Sequence, residues 1–227
     1  MTYIITVAGK DSIYMASDSR LNYFKDKIID GEKHQEILAI ADGIKKTFFI
    51  ESLRIGIQFL GIGFFQENEE RYPISYFIKK LEGKESNSIE ESFEIAFNFF
   101  KDLSIEGDTG QYVKGVMSAI DGENKKVCLF NTINNDFRIK ILTQNQFIDS
   151  ENNKEDFSSN ENELIEEIKE RIIEKSKEKW WTIGEEITLL KLEKDSFSFL
   201  SDFEEDLENF NKIKWRRINP PKLDKYN

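Results

Sequence analysis

The 227-residue sequence predicts an α+β protein in which antiparallel sheets are covered by helices. Strand-like segments come first, two helical segments lie in the middle, strands resume, and a third helix precedes closing strands, which is not the alternation of a parallel βαβ protein. Turn residues and not helices separate most neighbouring strand segments, so those neighbours pair as hairpins. A hydrophobic content of 39%, with 13% aromatic residues, supplies one sizeable core.

Residues 3–8 and 13–17 are β-branched and aromatic, and Gly9-Lys10-Asp11-Ser12 between them has turn chemistry, giving a hairpin at the N-terminus. From residue 24 to 42 the pattern loosens into charged residues with scattered isoleucines. Residues 46–50 and 55–59 read as a second strand pair, with Ile55, Ile57 and Phe59 sharing one face. Pro73 stands where a first helical residue would, ahead of Phe77, Ile78 and Leu81, and Gly83 is placed to end that helix. Ser88-Ile89-Glu90-Glu91 has the pattern of a capping box for a helix over 88–103, with Phe93, Ala96, Phe97, Phe100 and Leu103 at helical spacing. Strands at 113–120, 126–131 and 137–142 read as a meander. A polar loop over 149–160 leads to a third helix over 161–177, where Ser158-x-x-Glu161 offers a cap. Strands at 187–192 and 197–200 close the domain, set at residues 1–200. Residues 201–227 lose periodicity and read as an appended helix or extended arm.

Thirty-two Lys and Arg against 43 Asp and Glu leave a net charge of −11, which argues against nucleic acid and anionic membranes as partners. One cysteine, Cys128, and one histidine, His34, exclude a disulfide framework, a Cys/His zinc cluster and any Ser-His-Asp triad that does not use His34. No apolar run approaches the roughly 20 residues of a membrane span. The opening Met1-Thr2-Tyr3-Ile4-Ile5 lacks the basic stretch of a signal peptide, so a soluble, cytoplasmic protein is expected.

The N-terminus is the informative place. If Met1 is removed, Thr2 carries a nucleophilic hydroxyl and a base, its own α-amine with a pKa near about 8, in one residue. Such a site wants a cation, a carboxylate to orient that cation, and a backbone N–H for an oxyanion. The hairpin returns Asp18 and Arg20 towards Thr2, and Lys46 and Gly61 stand at strand ends.

Thr2 through Val7, Ala16-Ser17-Asp18-Ser19-Arg20, Lys46 through Ile50 and Ile55 through Gly61 resemble the opening of proteasome β-type subunits, which are N-terminal-nucleophile hydrolases. Thr2 stands sixteen positions before Asp18 and eighteen before Arg20, the family's spacing without a gap. The Met-Thr-Tyr start without a propeptide is similar to the Anbu-like bacterial proteasome homologues. The resemblance implies a four-layer αββα sandwich of two antiparallel sheets. It further implies Thr2 as nucleophile, Asp18 as the carboxylate pairing the lysine, Lys46 as that lysine, Gly61 as the oxyanion-hole glycine and Arg20 in support. The stretch between Arg20 and Lys46 is longer than is usual, which leaves Lys45 as an alternative. Trp180, Trp181, Thr182 and Ile183 stand where an aspartate and a serine usually help hold the N-terminus.

The expected activity is therefore a threonine peptidase, needing no cofactor or metal and acting on a peptide or unfolded protein. The alternative is an inactive proteasome-fold scaffold that keeps Met1. Rings or staircases in the family, and the phenylalanines Phe93, Phe97, Phe99 and Phe100 expected to leave apolar surface on the second helix, imply a homo-oligomer; an unfoldase partner is not indicated. Cys128 is expected as a buried filler and His34 at the surface. Gly56, Gly61 and Gly63 form no phosphate loop, and the acids at 202–207 are expected to be a solvated face.

Overall fold

The computed structural model describes residues 2–29, 32–61, 64–67, 70–106, 113–150, 157–180, 182–202 and 213–218. The N-terminal hairpin is β1 (Ile4–Ala8) and β2 (Ile13–Asp18), and both strands are buried along their whole length. Burial on both faces explains their nearly continuous apolar sequence. They sit inside a five-stranded antiparallel sheet ordered β12, β1, β2, β13, β14, completed by β12 (Phe147–Asp149), β13 (Ile187–Leu192) and β14 (Phe197–Ser201). A second five-stranded antiparallel sheet is ordered β11, β10, β9, β6, β5. Its members are β5 (Thr47–Ile50), β6 (Ile55–Leu60), β9 (Lys114–Asp121), β10 (Asn124–Asn131) and β11 (Asp136–Leu142).

Side-chain alternation distributes these strands between two surroundings. From β1, Ile5 and Val7 pack with Leu164, Ile168 and Ile172 of α3 (Glu161–Glu178). The opposite face of β1, through Ile4 and Ala8, packs on Val116 and Val127 of the second sheet. Ile13 and Met15 of β2 likewise meet Phe49 and Ile120. The other face of the second sheet is covered by α1 (Ile74–Leu81) and α2 (Ile89–Glu106), whose Phe77, Phe93, Phe97 and Phe100 pack around Phe59 and Phe130. Each buried phenylalanine contributes about 1.5–3 kcal/mol.

These burials correct one expectation. Phe93, Phe97 and Phe100 belong to the chain's own core, and Phe99 packs partly against it, so α2 does not carry the apolar surface anticipated for assembly. Helix starts also differ in detail. Pro73 is the N-cap of α1 and not its first residue, because it also ends a strand. The Ser88 hydroxyl accepts the Glu91 N–H at 3.2 Å, whereas the Glu91 carboxylate takes the Asn87 N–H at 2.6 Å and not that of Ser88. Asn160, and not Ser158, caps α3, accepting from the N–H groups of Asn162 and Glu163; Ser158 instead binds the Glu163 carboxylate.

Elements absent from the sequence reading are the hairpin β3 (Leu21–Ile29) with β4 (Glu32–Ala41), the hairpin β7 (Phe64–Glu67) with β8 (Glu70–Pro73), and the short β12. The β3–β4 pair holds a third sheet with β15 (Arg216–Arg217). Tyr23 and Ile28 on β3 are exposed, and burial is confined to the end of β4, at Ile37, Ala39, Ile40 and Ala41, too short a stretch to write a period of two through the hairpin. His34 lies on β4, with its side chain outside the described part, and Gly63 and residues 203–207 also lie outside it. Among the described residues no helix is long and apolar enough to cross a membrane.

Candidate active site at the N-terminus

Thr2 leads into β1, and the ladder with β2 runs one pair beyond the regular strands: Tyr3 N–H donates to Asp18 Oδ1 at 2.8 Å and Asp18 N–H donates to the Tyr3 carbonyl at 3.2 Å. This fixes the carboxylate directly beside the start of the chain. Asp18 Oδ2 accepts three further bonds, from Arg20 N–H (2.9 Å), Gly184 N–H (3.1 Å) and Lys46 Nζ (3.1 Å). Four donors on one fully buried carboxylate fix its orientation in the site.

Lys46 arrives from just before β5, whose pairing with β6 it continues by accepting the Phe59 N–H at 3.0 Å. Its ammonium is 1% exposed and also donates to the Arg20 carbonyl at 2.5 Å. Burial pushes this amine below its ordinary value of 10.5; the Asp18 carboxylate opposes the shift most strongly, Asp42 opposes it as well, and Arg20 adds to it. Lys45 turns the other way, to Asp202 at 2.6 Å and over the Phe199 ring. The structure therefore brings Lys46, and not Lys45, to Asp18.

Gly61 follows β6 with φ of +77°, a conformation that side-chain-bearing residues rarely adopt. That turn aims its N–H at Thr2, and the bond from Gly61 N to Thr2 Oγ1 is 3.2 Å. The five residues expected from the sequence thus form two hydrogen-bonded groups, Thr2 with Gly61 and Asp18 with Arg20 and Lys46, which Tyr3 brings side by side by following Thr2 and donating to Asp18. An oxygen developing on a carbonyl attacked by Thr2 Oγ would form next to a backbone donor that is already in place.

Two members of the site were missed in the sequence. Gly184 donates from the backbone, and a Cβ there would lie 2.9 Å from Ser19 Oγ and 3.1 Å from both Arg20 N and Asp42 Oδ1, so any side chain would crowd the site. Asp42 clasps the Arg20 guanidinium with bonds of 2.6 and 2.9 Å, and Arg20 also donates to the Trp180 carbonyl. Below the site, Thr6, Ser17, Thr47 and Gln58 form a buried network. Thr6 donates to Gln58 Oε1 at 2.8 Å, Gln58 Nε2 to the Ala16 carbonyl at 2.7 Å, and Thr47 to Ser17 at 2.7 Å, so the two large sheets are tied in register. Among the described residues no three His, Cys, Asp or Glu side chains gather as metal ligands. Cys128 is buried and its thiol is pushed up to about 12 by that burial.

Comparison with solved structures shows a likeness of fold to an ancestral β-subunit. The matching structures include Anbu (ancestral beta-subunit) from Yersinia bercovieri, with a TM-score of 0.53 at 12% identity, covering 88% of this chain and 88% of that one. At that identity the likeness is one of fold. No protein-family model matches the chain, and no curated protein matches it by sequence.

Proposed function

We propose that the protein is an N-terminal threonine peptidase of the proteasome-like class, competent once Met1 has been removed. The observation that carries the reading is the Gly61 N–H donating to Thr2 Oγ1 at 3.2 Å, beside the buried Lys46–Asp18 pair. In the first step Thr2 Oγ bonds to a peptide carbonyl carbon, and its proton passes through a water to the Thr2 α-amine. The oxyanion that results is held by the Gly61 N–H. Collapse breaks the C–N bond, the leaving amine takes the proton, and an acyl ester remains on Thr2. Water then hydrolyses the ester by the same relay. The Lys46 ammonium keeps the α-amine neutral near pH 7 by raising the cost of a second positive charge, and Asp18 fixes where that ammonium sits.

The αββα layering belongs to this reading, supported by α1 and α2 on one sheet, α3 on the other and apolar clusters joining the sheets. A homo-oligomer, as ring or open staircase, a cytoplasmic location and a peptide or unfolded-protein substrate belong to it too. Ile213 packing on Ala41 and Ile44 supports residues 201–227 as an arm and not a second domain. One observation favours an inactive scaffold: the Thr182 hydroxyl is turned to the Lys179 carbonyl at 3.2 Å, so it does not serve the site.

Intact mass spectrometry and peptide turnover decide between the two. Loss of one methionine, with turnover abolished in both Thr2→Ala and Lys46→Ala, is the expected result. Retained Met1 on assembled, soluble protein without turnover would establish the scaffold reading instead.

A further inference from the structure

The hairpin β3–β4 leaves the body of the molecule at Arg20 and returns to it at Asp42. Arg20 is central to the site through its backbone: its N–H goes to Asp18 and its carbonyl receives Lys46. The Arg20 side chain points away to Asp42, whose two oxygens accept from Nε and Nη2 along one edge of the guanidinium in the bidentate geometry that gives most directional restraint. A bond from Ile44 N–H to the Ser19 carbonyl at 3.0 Å closes the base of the hairpin beside it. Asp42 in turn has a second partner, Arg216 Nη2 at 3.4 Å, from the C-terminal segment. That segment is docked in three independent ways. Arg216 and Arg217 pair with Ile40 and Ala39, Trp215 meets Tyr23 edge to face with ring centres 5.7 Å apart, and Ile213 is buried on Ala41 and Ile44.

Resting on the threonine-peptidase reading, we propose that Asp42 is a positioning residue of the site and that strand β15 holds it through Arg216, so that the C-terminal segment forms part of the site's framework. Asp42 touches neither Thr2 nor Gly61 in any bond described above; it acts through Arg20. Its loss would therefore slow the chemical step without weakening substrate binding. Arg216 is 65% exposed, so its replacement perturbs Asp42 without threatening the core.

The test follows the rate of peptide epoxyketone adduct formation in wild type, Asp42→Asn, Asp42→Glu, Arg216→Gln and the Asp42→Asn/Arg216→Gln double variant. Asp42→Asn should lower the maximal labelling rate about tenfold with the half-saturating concentration unchanged, as loosened positioning does. Asp42→Glu should recover most of the loss. Arg216→Gln should lower the rate less, and the double variant should be no slower than Asp42→Asn, since one residue acts through the other. The charged groups acting on Lys46 are Asp18, Asp42 and Arg20. Removing the Asp42 charge should therefore shift the alkaline limb of the rate profile to lower pH. An unchanged rate in Asp42→Asn, a loss confined to the half-saturating concentration, or additive losses in the double variant would overturn the proposal. If wild type forms no adduct, the peptidase reading fails separately, and hydrogen exchange decides the positioning role. Faster exchange at the Arg20 and Gly184 amides in Asp42→Asn, with Ile5 and Val7 unmoved, supports it; unchanged exchange overturns it.

Discussion

Replacing Asp18 by asparagine tests how the N-terminal site is held together. The carboxylate is fully buried and accepts four bonds, one on Oδ1 from Tyr3 N–H and three on Oδ2 from Arg20 N–H, Gly184 N–H and Lys46 Nζ. An asparagine amide has one oxygen, so whichever way it is turned its NH₂ faces at least one N–H donor. At best three bonds survive, all to a neutral acceptor, and the Lys46 ammonium loses its counter-charge at 1% exposure. Breaking a buried pair from one side costs about 3–5 kcal/mol, a large share of the roughly 5–15 kcal/mol that holds a domain folded. With a denaturant slope of about 2–3 kcal/mol per molar urea, the midpoint should fall by about 1–2.5 M, read by tryptophan fluorescence. The gap should also narrow at alkaline pH. Lys46 has a folded pKa below its unfolded value of 10.5, so as pH rises between the two the folded state sheds a proton that the unfolded state keeps, and the burial penalty is relieved. Once Lys46 is neutral in both states, Asp18 has no cation to compensate. A midpoint unchanged at pH 7, or a gap of the same size at pH 7 and pH 10.5, would refute this reasoning.

Gly184→Ala places a Cβ against Ser19 Oγ and the Arg20 backbone, and should cost about 1–3 kcal/mol in thermal or urea unfolding, with slower labelling at Thr2 because the amide leaves Asp18. Gly61→Ala meets open space, so only the positive φ opposes it; a loss of about 1–2 kcal/mol is expected, with a larger effect on the rate of acyl transfer as the N–H turns away. Tyr14 is pushed up to about 12 by burial, so between pH 10 and 12 the unfolded phenol ionises first and stability falls as pH rises; Tyr14→Phe should flatten that limb in pH-dependent unfolding.

The parts of the site that could be read in the sequence are those whose chemistry is carried by side chains at a fixed spacing on one hairpin. Thr2, Asp18 and Arg20 are brought together by β1, a four-residue turn and β2, all short-range structure. Lys46 and Gly61 were legible because they bracket an apolar strand pair whose alternation is clear. Gly184 was not, since it contributes a backbone N–H that any residue possesses, across 166 positions of chain. Asp42 was hidden at the end of a charged segment whose hairpin is buried only over the last residues of β4, and its partner Arg216 lies in a segment without periodicity. The network of Thr6, Ser17, Thr47 and Gln58 did leave a trace: polar residues at inward positions of otherwise apolar strands, which is where sheets are tied by hydrogen bonds. The Ser158 cap failed for a local reason, because Asn160 is nearer the first turn and offers a carbonyl to two N–H groups at once.

The central claim is that Thr2 is a nucleophile carrying its own base. A peptide epoxyketone forms its ring adduct only with a residue that offers both a hydroxyl and a free α-amine, so the most direct measurement is peptide-level mass spectrometry of the assembled protein after such treatment. The expected result is a single adduct on an N-terminal peptide that begins at Thr2, absent in Thr2→Ala and strongly reduced in Lys46→Ala. Protein that has lost Met1 and assembled yet carries no adduct, or an adduct that persists in Thr2→Ala, would contradict the claim.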